Sequence, residues 1–282
     1  MNAEEWLLVC RDASAAVARA VQDLPTRDER ESHVGWGEGG DETTAVDAAA
    51  EQAVIRRLEE VAADGTGFTL VSEEAGERSY GDGSSRLRVV VDPIDGSVNA
   101  KREVPFFALS IAVADGPRMR DVFFGFVHDL GTGEEWTAVR GEGARLDGRP
   151  LDGPGPKVPI ELLSFEATRT DLVAESVGGF VDIAERIRVV GSLALSLCHL
   201  AAGRFDAVLS LKPARSVDIA AAQLLVRERG LPIELPEDGP FGEALLDLTG
   251  RSRVVSAATT DACGELFAAL RDGLPLERAT RP

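Results

Sequence analysis

No Cys-x-x-Cys pair occurs in the 282 residues, and the three cysteines, Cys10, Cys198 and Cys263, are far apart and odd in number. A zinc knuckle and a disulfide framework are therefore not indicated, and each thiol reads as a small buried apolar residue. Positive charge is also scarce: 30 Lys and Arg stand against 48 Asp and Glu, a formal net charge of −18. No clustered basic stretch breaks this balance, which argues against binding a nucleic-acid backbone or an anionic lipid surface. The acidity suits solubility. It leaves open a phosphorylated small substrate, because a bound cation reverses the local field. No apolar run approaches the roughly 20 residues needed to span a bilayer. Glu4, Glu5 and Trp6 stand where a signal peptide would carry basic residues before an apolar run. A cytoplasmic protein that docks on no membrane is expected. No repeat of fixed period is present.

What is present is an ordinary globular composition, 44% hydrophobic, long enough to bury a large core. Trp6, Leu7, Cys10, Ala13, Val17, Ala20 and Val21 recur at three- and four-residue steps, which predicts a helix over 4–22. Residues 25–42, with four glycines, read as a loop. A second helix is predicted over 44–63. Short Val-rich runs then predict strands at 68–72, 87–92, 106–114, 122–128 and 135–139, with a turn at 81–85. The Pro- and Gly-rich stretch 147–158 is the best linker candidate and divides the chain into halves 1–150 and 151–282. The second half reads as strands at 162–167, 187–190, 207–211 and 253–256, with helices at 192–202, 217–229 and 261–271. Mixed strand and helix in both halves predicts α/β or α+β layers.

Carboxylates recur at the ends of the predicted strands and the starts of the predicted helices. Asp41, Thr44 and Asp47 lie at the entry to the second helix; Glu73 and Glu74 follow the strand 68–72. Asp92 and Asp95 follow the next strand, and Asp218 opens the helix 217–229. Singly, Asp41, Asp47 and Asp218 read equally well as helix caps. Converging at strand ends they would repel one another unless a cation neutralised them. Hard oxygen ligands without clustered His or Cys favour Mg²⁺ or Mn²⁺ over zinc.

The stretch Asp92-Pro93-Ile94-Asp95-Gly96-Ser97 concentrates this chemistry. Pro93 pushes Asp92 toward an extended conformation, and a tight turn aims both acids at one point. The Ile94 carbonyl adds a third oxygen. Gly96 lets backbone approach a phosphate, and the N–H groups of Gly96 and Ser97 suit an anion. A plain turn after a strand is the bland alternative.

Together, Val71-Ser-Glu-Glu-Ala-Gly-Glu77, Val90-Val-Asp-Pro-Ile-Asp-Gly-Ser97 and Val217-Asp-Ile-Ala-Ala221 resemble the signature segments of the inositol monophosphatase superfamily. Asp41, Thr44 and Asp47 fit the Asp…Thr…Asp pattern of its lithium-sensitive members. The resemblance runs from about residue 4 to 270. Val104-Pro-Phe-Phe-Ala-Leu-Ser110, Arg188-Val-Val-Gly-Ser-Leu-Ala-Leu195 and Leu211-Lys-Pro-Ala-Arg-Ser-Val-Asp218 look more like the archaeal-type enzymes with dual fructose-1,6-bisphosphatase and inositol-1-phosphatase activity. Val217 stands where the commoner third segment has Trp, as in that dual-activity group.

The resemblance implies an αβαβα sandwich, a homodimer, and a Mg²⁺-dependent phosphatase of small sugar and polyol phosphates, with two or three metals per site. It implies that Glu73, Asp92, the Ile94 carbonyl, Asp95 and Asp218 hold Mg²⁺. Glu73, Thr44, Asp47 and Ser97 would serve the attacking water, with Asp47 bonding the Ser97 hydroxyl. Asp95 and the backbone of Gly96 and Ser97 would meet the substrate, with Arg188, Arg215 and Lys212 on the substrate side. Three positions depart from the pattern: Ser97 replaces a common Thr, Trp36 a common Lys, and Lys101-Arg102-Glu103 a mostly apolar or Gly-containing stretch. The last reads alternatively as a solvated surface turn. His199 replaces a common Tyr and reads as a helix core or rim residue. The rival functions are a 3′-phosphoadenosine 5′-phosphate nucleotidase, a regulatory relative without turnover, and a structural carboxylate cluster.

Overall fold

The computed structural model describes residues 1–40, 42–166 and 169–273. Asp41 and Ala167, both included in the readings above, lie outside the described residues. In chain order the first part runs α1 (Ala3–Gln22), α2 (Arg27–Glu31), β1 (His33–Trp36), β2 (Glu42–Thr44), α3 (Ala45–Ala63), β3 (Phe68–Ser72), β4 (Gly76–Tyr80) and β5 (Arg88–Asp95). It continues α4 (Ser97–Lys101), β6 (Ala108–Ala114), β7 (Val122–Asp129), β8 (Glu135–Val139), β9 (Gly143–Leu146) and β10 (Arg149–Pro150). The remainder is β11 (Ile160–Glu166), α5 (Thr170–Ser176), β12 (Ala184–Arg188), α6 (Leu193–Ala201), β13 (Ala207–Ser210), α7 (Ser216–Ile219), α8 (Ala222–Glu228), β14 (Ile233–Glu234), β15 (Val255–Ala257) and α9 (Thr260–Gly273).

An eight-stranded sheet has the order β10-β9-β8-β7-β6-β5-β3-β4, and a five-stranded sheet the order β12-β11-β13-β15-β14. Helices α1 and α3 cover one face of the large sheet, burying Trp6, Val9, Cys10, Val54 and Leu58 against Phe68, Val89, Leu109 and Phe126. Helices α6 and α8 fill the space on its other face, where Leu195, Leu197, Leu224 and Leu225 meet Val90, Val127 and Trp136. Leu163, Phe165 and Leu209 of the small sheet pack on Leu172, Leu266 and Leu270 of α5 and α9. The layers are therefore α, β, α, β, α, as the sequence resemblance implied. All three cysteines are buried and unpaired.

The long helices fall where periodicity placed them because each has a continuous apolar stripe and a defined start. Asn2 accepts the Glu5 N–H, and Glu5 accepts the Asn2 N–H in return. The Gly-rich stretch 25–42 differs from its loop reading. Thr26 and Glu29 form a capping box that starts α2, and β1 pairs antiparallel with β2 to make an arm. The helix expected over 217–229 is broken into α7 and α8. At the break the Ala221 carbonyl lies against Gly125 of β7, where a Cβ would come within 2.6 Å of it. Strands β4, β9, β10 and β14 are short or largely exposed, and they lack the apolar run that marks the others. The chain passes from the large sheet to the small one after β10, inside the stretch read as a linker.

Candidate metal centre and active site

Strands β3 and β5 run parallel, so their C-terminal ends lie side by side. Glu73 and Glu74 follow β3, and Asp92 and Asp95 end β5. In a regular strand, residues three apart face opposite sides. Here Asp92 pairs with Ser110 and Asp95 with Ala108, so one extra residue is inserted between them. This bulge sits at Pro93, which has no N–H to lose from the ladder, and it turns both carboxylates to the same face. The Ile94 N–H donates to Asp92 Oδ1 at 3.1 Å, and the Ser97 hydroxyl donates to the Ile94 carbonyl at 3.1 Å.

Glu73, Asp92 and Asp218 each bring one carboxylate oxygen to within 4.8 Å of the others. Asp92 is 2% exposed. Burial pushes the Glu73 carboxyl up to about 8, with Asp218 adding to the rise and Arg215 opposing it. Burial, then the charges of Glu73, Asp95 and Asp218, hold Asp92 well above the usual carboxylate range. Asp95 rises to about 7, first through burial. It stands outside the trio. Its Oδ2 accepts the Ser192 hydroxyl at 2.6 Å and the Ala194 N–H at 2.7 Å, which ties β5 to the start of α6.

Arg215 was expected on the substrate side. Its guanidinium instead lies among the carboxylates, bonded to Glu73 and 3.4 Å from Asp218, while its backbone N–H donates to Asp218 Oδ2 at 2.7 Å. Burial works against its charge, but Asp218, Glu73 and Asp92 outweigh it and raise its pKa. One guanidinium does not neutralise three acids, of which Asp92 is buried and Glu73 and Asp218 are half-buried. Three carboxylates with a neighbouring backbone carbonyl form a hard-oxygen set that fits Mg²⁺ or Mn²⁺.

The surrounding turns are held by groups that composition did not flag. Glu51 accepts the Ser72 hydroxyl at 2.6 Å and the Ala75 N–H at 2.8 Å, which fixes the turn carrying Glu73. The arm docks on that turn: Gly39 N–H donates to the Glu73 carbonyl at 2.8 Å, and the Thr43 hydroxyl bonds Glu74. Glu74 is raised by burial. Gly37 has no room for a Cβ, which would sit 2.3 Å from Glu74 Oε2. Trp36, before it, is 74% exposed. Glu166 was missed altogether. It accepts the Ser196 hydroxyl at 2.7 Å, Gly191 N–H at 2.9 Å and Val190 N–H at 3.2 Å, and so shapes the loop before α6. The available signal was an acid ending an otherwise apolar strand.

Gly96 has φ +95°, and a Cβ there would lie 2.9 Å from the Phe106 carbonyl and 3.1 Å from that of Gly191. It precedes α4, so the turn does open a helix. Thr44 and Asp47 begin α3, where Asp47 Oδ2 accepts both the N–H and the hydroxyl of Thr44. The expected bond from Ser97 to Asp47 is not made, because Ser97 turns to the Ile94 carbonyl. Asp47 Oδ1 is buried without a partner.

Arg188, at the exposed end of β12, donates to the Ile187 carbonyl. Lys212 is exposed and, among the described residues, makes no ion pair. Neither reaches the carboxylate trio. His199 is a half-buried rim residue of α6, edge-on to Trp136 at 5.6 Å and to Phe205 at 5.3 Å. In the 101–103 stretch Arg102 and Glu103 form an exposed turn, paired with Glu31 and Arg30, while Lys101 is half-buried with Nζ 3.8 Å from Asp47.

Layering and site together define an αβαβα protein with an acidic cluster, fit to hold a cation, at the ends of two parallel strands. More particularly, the chain belongs to the inositol monophosphatase family, whose model matches residues 4–273. It is 31% identical over 266 residues to a fructose-1,6-bisphosphatase/inositol-1-monophosphatase of Methanothermobacter thermautotrophicus, covering 91% of this chain and 93% of that one. It is 30% identical over 268 residues to the protein of the same name from Thermococcus kodakarensis, covering 95% and 98%. The solved structure of an inositol monophosphatase–fructose 1,6-bisphosphatase superposes with a TM-score of 0.80 at 25% identity, over 94% of this chain and 99% of that one. No helix among the described residues is long and apolar enough to cross a membrane.

Proposed function

We propose that the chain is a Mg²⁺-dependent phosphatase acting on small sugar and polyol phosphates, inositol 1-phosphate and fructose 1,6-bisphosphate among them. The observation that carries this reading is the trio Glu73, Asp92 and Asp218, set beside the left-handed turn at Gly96. Glu73, Asp92, Asp95, Asp218 and the Ile94 carbonyl are the groups that would hold Mg²⁺. When bound, the cation supplies a Lewis acid that polarises the phosphate and neutralises charge on the leaving oxygen.

The protein's own contribution is positioning. Gly96, whose side-chain space is taken by the carbonyls of Phe106 and Gly191, sets the left-handed turn into α4, and the first N–H groups of α4 have no helical carbonyl to bond. They are donors for the equatorial phosphate oxygens. Thr44 orients Asp47, and Glu73 and Asp47 are the acceptors for the proton of the attacking water. Arg215 holds Glu73 and Asp218 apart from one another's repulsion. It therefore serves the metal centre rather than the substrate.

The test is phosphate release with Mg²⁺, with and without Li⁺, from inositol 1-phosphate, fructose 1,6-bisphosphate and 3′-phosphoadenosine 5′-phosphate side by side. Release from the first two, dependent on Mg²⁺ and depressed by Li⁺, is expected. Release from the adenosine bisphosphate alone makes the chain a nucleotidase. Thermal stabilisation by Mg²⁺ with no release from any ester makes the centre structural.

A further inference from the structure

Lys101 closes α4, the short helix that opens beside Gly96. Its side chain is only 19% exposed, whereas a lysine ordinarily keeps its ammonium in water. Nζ lies 3.8 Å from Asp47 Oδ2. That same oxygen accepts the Thr44 N–H and hydroxyl, so two hydrogen bonds and one ion pair converge on it. The other oxygen, Oδ1, is buried and has none. A helix cap needs only the Thr44 contacts. The ammonium beside them, and the reserved oxygen opposite, are left unexplained by capping.

The backbone around Lys101 is strapped in place. Arg30, itself 8% exposed, donates to the Ala100 carbonyl at 3.0 Å and lies 3.6 Å from Glu103. Arg102 Nε is 3.7 Å from Glu31. Glu103 is held at φ 58°, a left-handed conformation that non-glycine residues seldom take. Arg30 thus holds the end of α4 from a buried position, with Arg102 and Glu103 paired at the surface, and Lys101 faces α3.

An uncompensated Asp47 carboxylate would repel an incoming phosphate. It would also be free to rotate and spend both oxygens on Thr44. We propose that Lys101 is a positioning residue for the reaction: its ammonium clamps Asp47 through Oδ2 and offsets its charge, which keeps Oδ1 as the proton acceptor for the attacking water. This rests on the phosphatase reading above and adds to it a residue outside the carboxylate centre.

The experiment is steady-state hydrolysis of inositol 1-phosphate with saturating Mg²⁺ by the full chain and by K101M, K101Q, K101R, D47N and K101M/D47N, with melting temperatures measured alongside. K101M and K101Q are expected to lose about tenfold or more in kcat with KM changed less than about twofold, since a small misplacement of a reacting group costs rate rather than binding. K101R, which keeps the charge, is expected to recover most of the loss. Because Lys101 acts through Asp47, the double variant is expected to be no slower than D47N. The use of two neutral replacements keeps a folding defect in one from deciding the matter. Unchanged kcat in the neutral variants overturns the proposal, and so do effects that multiply in the double variant. A raised KM with intact kcat also overturns it, by placing the ammonium on the substrate. Absence of phosphate release by the unaltered chain is a different failure, that of the phosphatase reading itself.

Discussion

Asp92 is the buried member of the carboxylate trio. It meets Glu73 and Asp218 through one oxygen set, and its Oδ1 holds the Ile94 amide in the bulge. Asp92→Asn keeps the volume and that acceptor while removing one negative charge. Without metal, the change relieves repulsion among buried acids, so the melting temperature is expected to stay level or rise. Phosphate release is expected to fall on the order of a thousandfold, and the stabilisation that Mg²⁺ confers on the unaltered chain is expected to vanish. Turnover near that of the unaltered chain, in a direct comparison, would sink the metal assignment. At this scale the sequence was readable where chemistry is local. Pro93 between two acids marks a turn there, which the structure makes as a bulge within β5. The contact of Arg215 with Glu73 was not readable, because the two are 142 residues apart and nothing near Arg215 announces it. Lys101 and Glu166 escaped for the same reason: their roles are set by elements distant in the chain, α3 in one case and the loop before α6 in the other.

The turn between β5 and α4 is an element whose backbone has no tolerance. Gly96 stands at φ +95° and is faced by two carbonyls, those of Phe106 and Gly191. Asn99 pins this neighbourhood by donating to the Phe106 carbonyl at 2.8 Å and the Val190 carbonyl at 2.9 Å. Gly96→Ala therefore combines left-handed strain with a steric clash. It is expected to cost roughly 1–3 kcal/mol, read as a lower urea midpoint at unchanged slope. It is also expected to depress phosphate release well beyond what the lost stability explains, because the turn must open to relieve the clash. A variant as stable and as active as the parent would show that the carbonyls move aside easily. Elements with strong periodicity, α1, α3, β3, β6 and β7, could be located from residues alone. The arm β1–β2 could not, since its exposed alternation and four glycines resemble a loop. The split between α7 and α8 was invisible because nothing near it in sequence marks where the Ala221 carbonyl meets Gly125 on another strand. Apolar periodicity reports only the face a segment buries, never the neighbour that interrupts it.

For the whole molecule, five layers place a carboxylate centre at the edge of a large buried core in a chain of net charge −18. The layering followed from the signature segments rather than from composition, which only required mixed strand and helix. The consequence of burying these acids is a pH dependence whose sign is fixed by the raised values. Unfolded, Glu and Asp titrate near 4. Folded, Asp95 and Glu73 titrate at about 7 and about 8, both chiefly through burial. Between those limits the folded protein binds more protons than the unfolded chain, so the stability of the metal-free protein falls as pH rises through this window. Below it the acids are protonated in both states and the penalty is absent. Net negative charge pushes in the same direction, so the metal-free curve alone does not isolate the site. Mg²⁺ does isolate it. The ion binds only deprotonated carboxylates of the folded chain, and its charge offsets the burial cost and the smaller repulsion that raise these values. Melting curves in EDTA and in Mg²⁺ are therefore expected to diverge with pH, with a small increment near about pH 6 and a larger one near about pH 8.5. Asp92→Asn should flatten that divergence while leaving the general charge effect in place. An increment equal at both pH values, or one that survives in the variant, would mean that Mg²⁺ stabilises this protein somewhere other than Glu73, Asp92 and Asp218.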